Sequence, residues 1–513
     1  MTAVPPALDA CLLARFDGQR VPDWLRRWLD EGLGGVVLFA QNIAGPDQLR
    51  LLVGELRARR PDLIVAVDEE GGLVSRLEAR TGSSFPGNSA LGAVDDPALT
   101  RQVAAAIGGR LAAADLSLNL APVADLANPL NSVIGLRSFG PEPARAAAHT
   151  TAFVEGVQGC GVAACAKHFP GHGRGAGDSH LVLPVVDAPL ATMRESDLVP
   201  FAAAIAAGVR CVMTAHVLFP AVDSVPATLS RRWLTGVLRG ELGFAGTIVS
   251  DALDMAAIGD NAVQAAGAVR AMAAGADLLC LSADHAAQLR ARDTLAAAVR
   301  DGTLAPGRIE AAAARVGELA AWTRAQAARR KDSGTAGAMR GADDSALGLA
   351  AARRALQVCL TATPASGGPF VLDAGWLRGL GAGAAPAAGV GEAAASLLTI
   401  VSGLIPGTDG RRLSEEAGGG APDVAGLLGQ ARGRPLIVAV RDARERPWQR
   451  DLLAAALAAR PDAIVVATGG DDRALAGASY IGTRGPALAN LTAAAELLAR
   501  LLSGPPAGED AAR

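Results

Sequence analysis

From residue 12 to residue 281, eight short β-prone apolar runs alternate with longer Ala/Leu-rich stretches. The runs are 12–16, 35–39, 63–67, 116–120, 162–166, 211–214, 247–250 and 278–281. Stretches such as 47–59 and 98–114 between them carry helical patterns. Strands that alternate with helices pair in parallel, because each crossover helix returns the chain to the same end of the sheet. Eight such units suit a closed (β/α)8 barrel better than an open sheet.

The polar residues fall into register with this pattern. Asp68 ends the third run, Asp125 follows the fourth, Lys167 and His168 end the fifth, His216 ends the sixth and Asp251 the seventh. In a parallel barrel the C-terminal strand ends share one face, where active sites are built. These residues, distant in sequence, are therefore expected to converge. The competing reading is that strand ends are polar because loops are polar.

The stretch 326–345, QAARRKDSGTAGAMRGADDS, is rich in Gly, Ser and charge and reads as a linker. The expected division is a barrel over 1–325, a linker over 326–346 and a smaller α/β domain over 347–513. In the last, 370–372, 397–401, 436–440 and 464–468 read as strands and 486–502 as a closing helix. The Gly/Ala/Pro stretch 381–391 reads as a loop.

Half of the 513 residues are hydrophobic and 19% are charged, with a net charge of −3 and no basic or acidic block. Neither nucleic acid nor an anionic membrane surface is an expected partner. The start lacks a basic segment followed by an apolar one, and no run approaches the ~20 apolar residues of a membrane helix. The expectation is a soluble, cytoplasmic protein. Cysteines at 11, 160, 165, 211, 280 and 359 form no Cys-x-x-Cys pair, so buried free thiols are expected rather than zinc ligands or disulfides.

The densest chemistry lies in 163–180, AACAKHFPGHGRGAGDSH. Lys167 is one of only two lysines in a chain that otherwise uses arginine for positive charge. A compact ammonium kept here suggests a site that a planar guanidinium would not serve. Asp178 and His180, two positions apart, can lie side by side. A carboxylate on one imidazole nitrogen fixes the tautomer and leaves the other for proton transfer, although a structural loop contact is the plainer reading. Asp251, in IVSDALDM, is a candidate nucleophile, base or ligand, or simply a helix cap. Arg76 and Arg137 either contact a ligand or pair with Glu69, Glu70 or Asp125. Asp68, Lys167 and His168 together offer acceptor and donors to a hydroxylated ligand. His172, between two glycines, reads as a residue that pins its turn, and His149 and His285 as surface or helix residues.

The motifs VDEEGG(x)3R, GLRSF, KHFPGHG(x)4DSH and SDALDM, in this order, resemble family 3 glycoside hydrolases, in particular their β-N-acetylglucosaminidase branch. The resemblance covers roughly residues 5–325. It implies Asp251 as nucleophile, His180 as acid/base with Asp178 as its partner, and Asp68, Arg76, Arg137, Lys167 and His168 as sugar contacts. The C-terminal half more weakly resembles the αβα sandwich of such enzymes, with SYIGTRGPALANL as its closing segment. The implied reaction is retaining exo-hydrolysis of a terminal N-acetylglucosaminide, such as a muropeptide or chito-oligosaccharide, through a covalent glycosyl-enzyme. Phosphorolysis by the same Asp/His pair is the alternative, since a histidine acid/base repels an anionic acceptor less than a carboxylate. A metal-dependent amidohydrolase would need a His-x-His pair at the first strand, and no histidine precedes His149. An inactive sugar-binding scaffold would have lost Asp251 or His180. No cofactor or metal is expected, and the sole implied partner is a small carbohydrate.

Overall fold

The computed structural model describes residues 6–129, 131–175, 183–253, 261–332, 341–361, 363–375, 396–414, 423–441, 443–470 and 479–503. The chain forms two compact units. One comprises Met1–Glu70 with Asp95–Gly341, the other Gly71–Val94 with Ala342–Arg513.

All eight apolar runs of the first unit contain strands: β1 Leu12–Ala14, β2 Gly35–Leu38, β3 Ile64–Val67, β4 Leu118–Asn119, β5 Ala163–Phe169, β6 Cys211–Thr214, β7 Thr247–Val249 and β8 Leu279–Cys280. Every adjacent pair is parallel, in the order β7-β6-β5-β4-β3-β2-β1-β8. A single bridge, Val249 to Leu278, joins the two ends of the sheet into a barrel. Side chains alternate across a strand, so every second residue faces inward. Leu13, Val37, Ile64, Ala66, Leu118, Ala163, Cys165, Cys211, Met213, Val249 and Cys280 form the interior, with Val316, Leu319 and Ala320 of the helix Pro306–Asp332 packed onto it. That helix runs through 326–332, and a further helix, Gly341–Ala355, begins before 346. Residues 333–340 lie outside the described set.

The second unit is a six-stranded sheet ordered β11-β10-β12-β13-β14-β9, with β9 Gln357–Cys359, β10 Phe370–Asp373, β11 Asp409–Arg412, β12 Leu436–Val440, β13 Ile464–Ala467 and β14 Ser479–Gly482. Only β9 is antiparallel among these pairs. Apolar cores cover both faces. One packs Val438 and Val465 against Trp448 and Leu452, the other Val371 and Val466 against Val401 and Leu498. The result is an αβα sandwich.

The segment 397–401 is not a strand. It belongs to the helix Leu397–Leu404, whose Ser396 side chain caps the amide of Thr399. A five-residue apolar run carries no period that separates strand from helix, and the serine before it decides. The edge strands β9 and β11 escaped the reading because β11 is polar and the three-residue β9 is too short to show an apolar alternation. The final helix, Leu488–Leu502, matches its expectation. The expected loop 381–391 lies outside the described residues. Of the thiols, Cys11, Cys165, Cys211 and Cys280 are buried, but Cys160 is half-buried and Cys359 exposed, because β9 is an edge strand.

At the N-terminal end of β8 the fully buried Asp277 carboxylate accepts from Arg239, Arg308 and Arg315 and from the amide of Ile248. Removing the anion leaves three partly buried guanidiniums facing one another. Asp277→Asn is expected to destabilise the barrel by about 3 kcal/mol in urea unfolding, while any activity at the opposite face survives in the folded fraction.

Candidate active site

The inward alternation does not stop where the strands end. Ile64 and Ala66 face the interior, and Asp68 follows at the same parity; Ala163 and Cys165 are followed by Lys167, and Val249 by Asp251. Three polar side chains are thus carried onto the inner face at the C-terminal mouth. Arg15 and Phe39 extend Leu13 and Val37 in the same way, with the Arg15 guanidinium 4.1 Å over the Phe39 ring. Thr214 and His216 have the opposite parity to Met213 and are fully buried, so His216 does not join the inner layer.

The Lys167 ammonium, 2% exposed, lies 2.7 Å from Asp68 Oδ1 and 2.7 Å from Glu70 Oε1. Glu70 also receives a two-pronged contact from Arg137, whose Nε and Nη2 donate at 2.9 and 2.7 Å. Arg137 comes from the 3-10 turn Gly135–Arg137. Burial alone would raise the Glu70 carboxyl, but attraction to Arg137 and Lys167 outweighs it and holds the group well below its ordinary range. Burial would likewise lower Lys167, and Asp68 and Glu70 overcome that, leaving it above its usual value. Glu70, Arg137 and Lys167 are therefore charged at neutral pH.

A second cluster lies behind His168. Asp125, fully buried, accepts from His168 Nδ1 at 2.7 Å, from the His168 amide and from the His172 amide at 2.6 Å. Burial pushes this carboxyl up, but the two histidines bring it below its ordinary value, so it is an anion that can only accept. His168 therefore carries its proton on Nδ1 toward Asp125, which fixes the ring. His172 does pin its turn: its amide holds Asp125, and its carbonyl accepts from Asn131. The flanking glycines are required. Gly171 has φ +128°, and a Cβ on Gly173 would lie 1.8 Å from the Leu126 carbonyl oxygen.

Asp251 is half-buried; its Oδ1 accepts from the Ala252 amide at 2.8 Å, and its own amide donates to Thr214 Oγ1 at 3.3 Å. The first unit thus brings Asp68, Lys167 and Arg137 together around Glu70, and sets His168 on Asp125. Arg76 is buried within Gly71–Val94, which groups with the second unit. Asp178 and His180 lie outside the described residues. His149 sits on a helix as expected but is fully buried, bonded to Thr100 and stacked on Phe139. The sequence offered Glu70 as a partner of Arg137 and placed Asp125 among the converging residues, but did not mark them as the anions that position Lys167 and His168. No local feature of the sequence marks either role. Among the described residues no group of three or more His, Cys, Asp and Glu side chains could hold a metal ion, and no helix is long and apolar enough to cross a membrane.

Residues 19–319 match the model of the glycosyl hydrolase family 3 N-terminal domain. The chain belongs to glycosyl hydrolase family 3. It is 42% identical over 285 residues to the β-hexosaminidase of Pseudomonas aeruginosa, covering 54% of this chain and 82% of that one. The solved family 3 β-N-acetylglucosaminidase of a Paenibacillus species is 32% identical with a TM-score of 0.85, covering 98% of both chains. NagZ from Neisseria gonorrhoeae, solved in complex with N-trifluoroacetyl-D-glucosamine, is 33% identical with a TM-score of 0.52, covering 60% of this chain and 97% of that one. The enzyme is a glycoside hydrolase.

Glu70 gives a pH test. Its folded pKa lies below its ordinary 4.5, so its stabilisation is complete above that value and is lost as pH falls below it. Glu70→Gln is expected to cost about 3 kcal/mol at pH 7, because it strips a buried partner from two cations. Below about pH 4.5 the loss of stability with falling pH is expected to be shallower in the variant than in the parent enzyme. Urea unfolding across pH checks both.

Proposed function

We propose that this family 3 enzyme is a retaining exo-β-N-acetylglucosaminidase, a β-N-acetylhexosaminidase acting on terminal N-acetylglucosamine of muropeptides or chito-oligosaccharides. The observation that supports this reading most is the Asp251 carboxylate on the inner layer of a mouth that also holds the Asp68–Lys167–Glu70–Arg137 and His168–Asp125 clusters. A pyranose needs acceptors and donors at fixed positions, and these two clusters supply both on rotamers locked by ion pairs. The relatives named β-hexosaminidase and β-N-acetylglucosaminidase support the 2-acetamido sugar.

In this reading Asp251 attacks the anomeric carbon and the bond to the aglycone oxygen breaks, giving a covalent glycosyl-enzyme. Its Oδ1 is already oriented by the Ala252 amide. His180, with Asp178, protonates the departing oxygen and then takes the proton of the water that displaces the sugar. Asp68 and Lys167 hold ring hydroxyls, and Lys167, Arg137 and His168 direct donors toward the sugar. Such donors discriminate strongly, because a substrate lacking the matching acceptor leaves them unpaired. We assign the chemistry to the barrel of residues 1–325, and place the enzyme in the cytoplasm in the turnover of cell-wall fragments.

Asp251→Asn is expected to lose at least about 1000-fold in kcat while melting like the parent, since the carboxylate serves chemistry rather than folding. A slow fluorinated glycosyl donor is expected to label Asp251, and labelling of another carboxylate rejects the assignment. Digestion of an aryl N-acetyl-β-glucosaminide with and without phosphate tests the acceptor: free sugar in both supports hydrolysis, and a sugar 1-phosphate identifies a phosphorylase. Comparable rates on the matched glucoside would reject the 2-acetamido specificity.

A further inference from the structure

His216 belongs to neither cluster, faces away from the inner layer and is fully buried. Its hydrogen bonds nevertheless lead to the backbone on both sides of the Asp251 side chain. Nε2 lies 2.9 Å from the Ala252 carbonyl oxygen, and Nδ1 lies 2.8 Å from Thr228 Oγ1. Thr228 Oγ1 lies 2.8 Å from Thr214 Oγ1, and Thr214 Oγ1 accepts from the Asp251 amide at 3.3 Å.

The directions follow from chemistry. A carbonyl oxygen only accepts, so His216 Nε2 carries a proton. In the neutral ring Nδ1 is then an acceptor, and the Thr228 hydroxyl donates to it. Thr228 in turn accepts from the Thr214 hydroxyl, which accepts from the Asp251 amide. The bonds run in one sense from the amide of Asp251 to the carbonyl of Ala252, and the chain closes through the covalent backbone. Between the two ends stands the Ala252 amide, which orients the Asp251 carboxylate. A protonated ring keeps the same grip: Nδ1 donates to Thr228, whose hydrogen turns to the Ala215 carbonyl 3.0 Å away.

We propose that His216, with Thr214 and Thr228, is a positioning device for the nucleophile, clamping the Asp251–Ala252 backbone from behind the barrel wall so that the carboxylate meets the anomeric carbon in a fixed orientation. This rests on the reading of Asp251 as the nucleophile. His216 touches no substrate atom in this arrangement. Its loss acts on the attack rather than on sugar binding, so kcat falls and KM stays.

The test uses two pairs of variants in the full-length enzyme. Thr228→Val keeps the volume and removes the hydroxyl, whereas Thr228→Ser keeps the hydroxyl. His216→Ala removes the ring, whereas His216→Gln offers an amide donor to the Ala252 carbonyl. We expect Thr228→Val to lower kcat about tenfold and His216→Ala about 100-fold, with KM within about twofold of the parent. The Ser and Gln variants are expected to recover most of the loss. The rate of trapping by a slow fluorinated donor is expected to fall in step with kcat. If Thr228→Val and His216→Ala hold kcat within about threefold while the label still falls on Asp251, the clamp is refuted and the nucleophile reading stands. If kcat and KM shift together with a lowered melting temperature, and the loss disappears on cooling, His216 is a core residue and the clamp is likewise refuted. A label on another residue of the parent enzyme overturns both readings.

Discussion

A buried ammonium must have its charge answered, and the mouth of this barrel is organised around that requirement. Lys167 is almost fully enclosed and meets two carboxylates at 2.7 Å. One of them, Glu70, is shared with Arg137, so four charged groups from three separate segments compensate one another. Removing one leaves another buried and unpaired, which is far more costly than never having had the pair. The cluster therefore fixes the ends of β3 and β5 and the Gly135–Arg137 turn relative to one another. The barrel supplies coarse alignment, and the ion pairs set the side chains to hydrogen-bond tolerance.

The barrel was legible because its strands are apolar and separated by helical stretches. Each of the eight runs contains a strand, since in a barrel interior the hydrophobic demand falls on the same short segments that pair. The sandwich was less legible for two reasons. Its outermost strands are largely exposed, β11 polar and β9 only three residues long, so they lack the signal that burial writes into sequence. The apolar run 397–401 was long enough to be either element, and only Ser396 at its start tips it into a helix.

At the site, the residues carried onto the inner face were easier to find than those that hold them in place. Asp68, Lys167 and Asp251 stand one alternation beyond inward-facing strand residues, which sequence shows directly. Glu70 and Asp125 act at one remove. Each neutralises or orients a donor that comes from about 40 to 100 residues further along the chain. Nothing local in sequence distinguishes such a carboxylate from a solvated one. His216 shows the converse. Its place after β6 suggested a ligand-facing residue, but the parity of Met213 and Ala215 turns it outward, where it bonds Thr228 and the Ala252 carbonyl.

Two kinds of acidic residue thus surround the mouth. Glu70 and Asp125 are sunk below their ordinary pKa by cations and imidazoles, which makes them poor nucleophiles: their lone pairs are committed and their basicity is spent on partners. Asp251 is half-buried, and its Oδ1 accepts from the neutral Ala252 amide. A carboxylate held by dipoles keeps more of its charge density for an incoming electrophile than one clamped between cations. This difference is consistent with the proposed division between Asp251 as the attacking acid and Glu70 and Asp125 as the acids that brace the site. In the proposed arrangement Asp251 is steadied through its backbone by Thr214, Thr228 and His216, whereas Glu70 and Asp125 are held through their carboxylates.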